Sequence, residues 1–281
     1  MPSETTLILS DGTRVVEYAW PAHGSDVGSL LLVHGLGEHA RRYDHVAAAI
    51  TALGLEVRAY DQRGYGRSGG ARATLPHAGA LVDDARWMFE RLAESRRAEG
   101  DARAPFVLGH SMGGAVVARA VTGGWIAPRG MILSSPALLP RVNVAERWAT
   151  SLGARLFPGL RVPNGVPRDR LSHDPAVERA LASDPGVHDR VTPRAVAFML
   201  DAGRRAVADA PRCRVPTLLQ VAGDDRIVDP AAAIRFAERL PAGVGTLRVY
   251  DALYHEIYNE REPDRTAVLA DLATWLRARL A

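Results

Sequence analysis

The sequence contains no lysine. All 35 basic residues among its 281 are arginines, set against 32 acids for a formal net charge of +3. The arginines are interspersed with the acids and form no long basic tract, so nothing in the charge pattern supports a nucleic-acid partner. A single cysteine, Cys213, excludes an internal disulfide framework. It stands just before an apolar run and reads as a buried structural thiol rather than a nucleophile. No window approaches the ~18 uninterrupted apolar residues of a membrane span. The opening stretch MPSETTLILSDGT lacks the basic start and long apolar centre of a secretory signal, so a cytoplasmic protein is expected. Internal repeats, metal-ligand spacings and phosphate loops are also missing, and neither metal nor cofactor is expected. What remains is an ordinary globular composition, 47% apolar and 24% charged.

Short apolar runs alternate with helical patterns. TTLILSDGTRVVEYAW reads as two extended runs around a tight turn at Asp11-Gly12. SLLLV (29–33), LEVRAY (55–60), PFVLG (105–109), GMILSS (130–135), PTLLQVAG (216–223) and TLRVY (246–250) read as strands. Between them lie helical patterns, the clearest from about His77 to Arg97, with Leu81, Ala85, Met88 and Leu92 along one face. Continuous apolar strands alternating with helices predict an α/β fold with a mostly parallel sheet covered on both faces.

The alternation stops at about Ala137 and resumes after Cys213. The stretch 137–213 has no strong strand pattern and looks helical, punctuated by prolines. Asp174-Pro175 and Thr192-Pro193 each read as an N-cap followed by proline in the first turn. We expect a helical cap inserted into a core made of residues 1–136 and 214–281, because a long structured insertion of this kind usually covers a site. Val144, Trp148, Leu152 and Leu156 fall on one helical face, with Arg147 and Arg155 at its margins. Such a helix either packs on the core or presents its apolar face to acyl chains and an anionic membrane surface.

The chemistry centres on GHSMGG (109–114). Gly109-His110-Ser111-Met112-Gly113 fits G-x-S-x-G at the end of a strand and the start of a helix. In that turn the serine backbone is strained, and glycines flank it because side chains there would collide. The hydroxyl then needs a base, and the base an orienting acid. In this fold class the order is serine, acid, histidine. Of the nine histidines, His255 lies in YDALYHEIYNE, directly after a strand, whereas His188 falls inside the insertion. VAGDDRIVDP offers Asp224, Asp225 and Asp229. Strand, glycine, one residue, then aspartate favours Asp225. Asp224 is the alternative, and Asp229 before Pro230 reads as a helix N-cap. Two backbone donors are required for a tetrahedral intermediate. The N–H of Met112 supplies one, and that of Leu36, in HGLGEH (34–39), the other. His34 reads as a structural hydrogen-bonding residue.

HGLGEHARRY, DQRGYGRSGG, GHSMGG, SSPAL, ASDP and GDDRIVD, with His255 thirty residues after Asp225, together resemble the monoacylglycerol lipase and lysophospholipase family of α/β-hydrolases. The resemblance runs from about Ser29 to the C-terminus. It implies Ser111, Asp225 and His255 as the triad, Leu36 and Met112 as the oxyanion hole, and Glu38, Arg42 and His110 as polar groups around the glycerol. Two family positions differ. A histidine three residues past the catalytic one is Tyr258 here, and a cap tyrosine corresponds to Leu181. Both are taken as substrate-binding positions.

The expected activity is hydrolysis of a carboxylic ester with a medium or long acyl chain through an acyl-enzyme, with a lipid ester as substrate and transient membrane-surface contact through the cap. The alternatives are a small-ester carboxylesterase, thioesterase or peptidase on the same triad, or a binding module with an idle one. A haloalkane dehalogenase is disfavoured because it would carry aspartate at position 111.

Overall fold

The computed structural model describes residues 1–141 and 143–280, with the side chains of 144–147 outside the description. Strands β1 (Ser3–Ile8) and β2 (Arg14–Trp20) form an antiparallel hairpin. Its turn uses Gly12 at φ 82°, where the left-handed backbone suits glycine. The sheet continues through β3 (Gly28–Val33), β4 (Leu55–Asp61), β5 (Phe106–His110) and β6 (Met131–Ser134). Every residue of β3, β5 and β6 is buried, which is why they read as apolar runs without alternation.

Helices α1 (Asp44–Thr51), α2 (Ala80–Ala98) and α3 (Met112–Thr122) lie between these strands in sequence. The insertion follows β6. It holds α4 (Val144–Leu156), β7 (Val162–Pro163), α5 (Pro175–Ser183), β8 (Arg190–Val191) and α6 (Pro193–Asp209). The chain then returns through β9 (Thr217–Ala222), α7 (Pro230–Arg239), β10 (Gly245–Tyr250) and α8 (Asp264–Leu280).

The eight-stranded sheet runs β1-β2-β4-β3-β5-β6-β9-β10, parallel from β4 through β10, with the hairpin antiparallel at one edge. One core cluster joins its first face to α2, α3, α6 and α7, and a second joins the other face to α1 and α8. This is the α/β sheet with helices on both faces that the alternation predicted. After β3 the chain moves to β4 on one side, then returns to place β5 on the other side of β3. The reversal opens a crevice at the C-terminal ends of β3 and β5, where ligands bind in open α/β sheets.

Within the insertion, Asp174 and Thr192 cap α5 and α6 through the amides of Ala176 and Ala195. α6 packs against α3 of the core, and a Cβ on Gly203 would come within 2.1 Å of the Leu138 carbonyl oxygen at the start of the insertion. The sequence pattern missed β7 and β8, which pair antiparallel over two residues each. Two residues are too few to show a period. Gly153 of α4 lies against Pro193, while Trp148, Leu152 and Leu156 are 75%, 59% and 56% exposed. These three do not pack on the core. The side chains of Val144 and Arg147, assigned to the same face and margin, lie outside the described residues.

Candidate active site

Ser111 joins β5 to α3 at φ 51° and ψ −119°, a strained conformation of the kind stored at functional sites. The glycines around it are dictated by the backbone. A Cβ on Gly109 would meet the Gly113 carbonyl oxygen at 2.4 Å, and one on Gly113 would meet the Val33 carbonyl oxygen at 2.2 Å. Neither contact is sterically possible, so this turn can form only with glycine on both sides.

His255, in the loop after β10, brings Nε2 to 2.8 Å from Ser111 Oγ. Its Nδ1 lies 2.6 Å from Asp225 Oδ2. The Asp225 carboxylate, also fixed by the amides of Ile227 (2.8 Å) and Val228 (2.9 Å) at Oδ1, only accepts, so Nδ1 carries the proton and Nε2 is left to accept from the serine hydroxyl. All three residues are buried. Burial opposes charge on His255, but the adjacent Asp225 outweighs it and raises the imidazole above its ordinary value. Burial likewise opposes ionisation of Asp225, and His255 outweighs it, holding the carboxyl low. Asp224 instead pairs with Arg226 at the surface, and Asp229 caps α7 through the Ala231 amide. The structure therefore brings Asp225, and neither alternative, to the histidine.

Leu36 follows β3 and Met112 opens α3 at the same crevice. Among the described residues neither backbone amide has a protein acceptor, as donors aimed at a developing oxyanion require. His34 is structural: Nδ1 donates to the Gly35 carbonyl oxygen (2.8 Å) and Nε2 accepts from the Gln62 amide (2.9 Å). Cys213 is buried, with burial pushing its thiol up, as a structural thiol would be.

A cavity of about 210 Å³ opens above Ser111 and His255, lined by Leu36, Glu38, Arg42, His110 and Leu181 among others. Its apolar wall includes Val166, Leu171, Val191 and Met199 from the insertion. Two contacts hold that roof to the loop after β3. The His188 amide donates to the Gly37 carbonyl oxygen at 3.0 Å, and His39 Nε2 lies 2.8 Å from Asp184 Oδ2.

Glu38 and Arg42 are bonded to each other. Arg42 Nη1 donates to Glu38 Oε2 at 2.5 Å. The other Glu38 oxygen accepts from the Gly35 amide (2.6 Å) and the Tyr43 hydroxyl (2.7 Å). Burial opposes the Glu38 charge, but Arg42 chiefly outweighs it and holds the carboxyl down to about 2. His110 lies beside the His255 ring, centroids 4.9 Å apart, with Nδ1 3.1 Å from Ser134 Oγ. Burial and then His255 depress it to about 4, so it is neutral at ordinary pH.

One assigned position is corrected. Tyr258 does not line the cavity. The turn Ile257–Asn259 carries it inward, where it is 2% exposed and donates to Gln220 Oε1 at 2.6 Å. The sequence reading also missed Glu256, which lines the cavity and grips Arg42. The only signal for it was an acid directly after the histidine, which looks like any solvated loop charge.

The sheet order, the switch-point crevice and the strained serine turn define an α/β-hydrolase. More particularly, residues 24–262 match the model of the Hydrolase_4 family, described as serine aminopeptidase, S33, and the chain belongs to that family. It is 35% identical to a monoacylglycerol lipase of Mycolicibacterium smegmatis over 99% of this chain and 98% of that one. Among solved structures it resembles the Paleococcus ferrophilus monoacylglycerol lipase (TM-score 0.84, 29% identity, 94% of this chain and 99% of that chain). A soluble variant of the Saccharomyces cerevisiae monoglyceride lipase, solved with a substrate analogue, shares the fold (TM-score 0.90, 23% identity, 99% and 96% covered). The resemblance carried by the sequence motifs is thus matched across nearly the whole chain. Among the described residues no helix is long and apolar enough to cross a membrane, and no acid, histidine or cysteine cluster suits a metal.

Proposed function

We propose that this protein hydrolyses monoacylglycerols or closely related single-chain lipid esters through an acyl-enzyme on Ser111. The observation that carries this is the Ser111–His255–Asp225 chain of hydrogen bonds at the floor of a cavity with a largely apolar roof. The relatives named monoacylglycerol lipases support it. Ser111 Oγ attacks the acyl carbonyl while His255 Nε2 takes its proton. Asp225 steadies the imidazolium, and the Leu36 and Met112 amides hold the oxyanion. The tetrahedral intermediate expels the alcohol, which His255 protonates. Water, deprotonated by His255, then releases the fatty acid. Neutral His110 is suited to bond a hydroxyl of the leaving alcohol, and Leu181 to pack against the acyl chain.

The family's description names a peptidase, but the site does not favour an amine-bearing substrate. Of the acids lining the cavity, Glu38 and Glu256 are both bonded to Arg42 and Asp189 pairs with Arg190, so each already has a cationic partner in place of an α-ammonium. A lysophospholipid is the second reading. Arg141 and Arg168 also line the cavity, and no carboxylate pairs with either among the described residues, so an anionic headgroup would be welcome there.

The exposed side of α4, continued by Phe157 (63%) and Leu160 (56%) and edged by Arg155 and Arg161, suits brief contact with a lipid surface by a cytoplasmic enzyme.

The test is kcat/KM on p-nitrophenyl esters of two to twelve carbons below micelle-forming concentrations, then mono- against triacylglycerol. Each buried methylene contributes up to about 0.8 kcal/mol. Four more carbons are then worth up to roughly two hundredfold, of which a partly open roof delivers about tenfold. Activity peaking at acetate refutes the lipid substrate. Ser111→Ala should lower turnover by about six orders of magnitude, and a variant retaining a tenth of it refutes the mechanism.

A further inference from the structure

Glu256 follows His255 directly, yet its side chain turns to the loop that carries Leu36. Its two oxygens accept from Arg42 Nη1 (2.9 Å) and Nη2 (2.6 Å). Asn259 Nδ2 adds a third bond at 2.8 Å. Arg42 reaches on to Glu38, whose other oxygen holds the Gly35 amide one residue before Leu36. The backbone amide of Glu256 donates to the Leu171 carbonyl oxygen of the roof at 2.8 Å. The side chains of Arg42, Glu38 and Glu256 are 12%, 6% and 6% exposed. Two carboxylates around one guanidinium leave one net negative charge in a space largely closed to water. A two-point grip of this kind fixes geometry as well as charge.

We propose that Glu256 is a positioning residue for the reaction: through Arg42 and Glu38 it locks the loop bearing the Leu36 amide to the loop bearing His255, and it sets a net negative charge beside the imidazole. This presupposes the serine-hydrolase activity proposed above. The charge matters because His255 becomes a cation only as the serine attacks, so a fixed negative charge favours the transition state over the ground state. The groups facing His255 are Asp225 and Ser111 by direct bonds, His110 by ring contact, and Glu38, Glu256 and Arg42 from the cluster. Arg141, from the insertion, bonds the Asp225 carbonyl oxygen at 3.3 Å. After burial and Asp225, Glu256 and Glu38 are the next influences on His255, and both raise it.

The test is Glu256→Gln, which keeps shape and removes charge. It is read by the pH profile of kcat/KM on a p-nitrophenyl ester and by the rate of fluorophosphonate labelling. His255 works as a base only when neutral, so lowering its pKa moves the acid limb to lower pH. Loss of that negative charge should move the limb down by about half a unit to one unit. The plateau should fall about tenfold, in kcat more than KM, and labelling should slow in parallel. Glu256→Asp keeps the charge and should keep the wild-type limb while its plateau falls. A Glu256→Gln protein with wild-type thermal stability and an unmoved limb overturns the proposal. If that variant does not fold, Glu38→Gln removes the same charge and must move the limb the same way; an unmoved limb there overturns it as well. Wild-type protein that takes no fluorophosphonate brings down the serine-hydrolase activity itself, an outcome distinct from a labelled wild type with an indifferent Glu256 variant.

Discussion

Asp224 and Asp225 are adjacent in sequence and opposite in surroundings. Asp225 is 2% exposed and spends its oxygens on His255 and two amides, whereas Asp224 faces Arg226 at the surface. Asp225→Asn should therefore lower kcat by about 10⁴, because an amide favours the wrong imidazole tautomer. Asp224→Asn should cost no more than a few-fold, and Asp229→Asn should register mainly as a small change in stability, since asparagine also caps helices well. Steady-state kinetics on the three variants checks the order, and an Asp224 variant more damaged than the Asp225 variant reassigns the acid. The spacing strand, glycine, one residue, aspartate made Asp225 legible from the sequence. Tyr258 was not legible, because its place is decided by a buried acceptor, Gln220, on a distant strand. Glu256 was hidden for the same reason, its partner Arg42 lying 214 residues away.

At the level of single elements, the apolar strands and Asp- or Thr-Pro caps were readable because their causes are local. The β7–β8 pair, two residues on each side, was not, because its pairing is set by the roof's tertiary fold. Periodicity placed Trp148, Leu152 and Leu156 on one face of α4 but could not say which way that face pointed. It points outward, where large apolar side chains stay in water unless a partner covers them. Trp148→Ser combined with Leu152→Ser should weaken binding to phospholipid vesicles about tenfold or more. Full burial of each side chain is worth roughly 1.5–3 kcal/mol, and a surface helix realises only part of it. Activity on a short, water-soluble ester should be retained. With Arg155 and Arg161 at the edge of the patch, vesicles with anionic headgroups should bind more tightly than neutral ones. Sedimentation with vesicles of each composition measures both effects, and equal binding by the wild type and the double variant removes α4 from any membrane role.

For the molecule as a whole, pH dependence follows from the balance at His255. The imidazole must be neutral to accept the serine proton, and the structure raises it above the ordinary ~6.5 of histidine. The acid limb of kcat/KM should therefore lie above that value, with activity rising as pH increases through it. A limb well below 6.5 in the wild type contradicts the electrostatics described for the site. The roof's contacts with the catalytic floor include His188 to Gly37, His39 to Asp184, Leu171 to Glu256 and Arg141 to Asp225, and these join the segments that carry Leu36, Asp225 and His255. The insertion is consequently not an exchangeable module. A chimaera given another lipase's residues in place of 137–213 should exchange the cavity's roof and lose these tethers, so that changing substrate range should also require rewriting positions 37–39, the loop of Asp225 and the turn after His255.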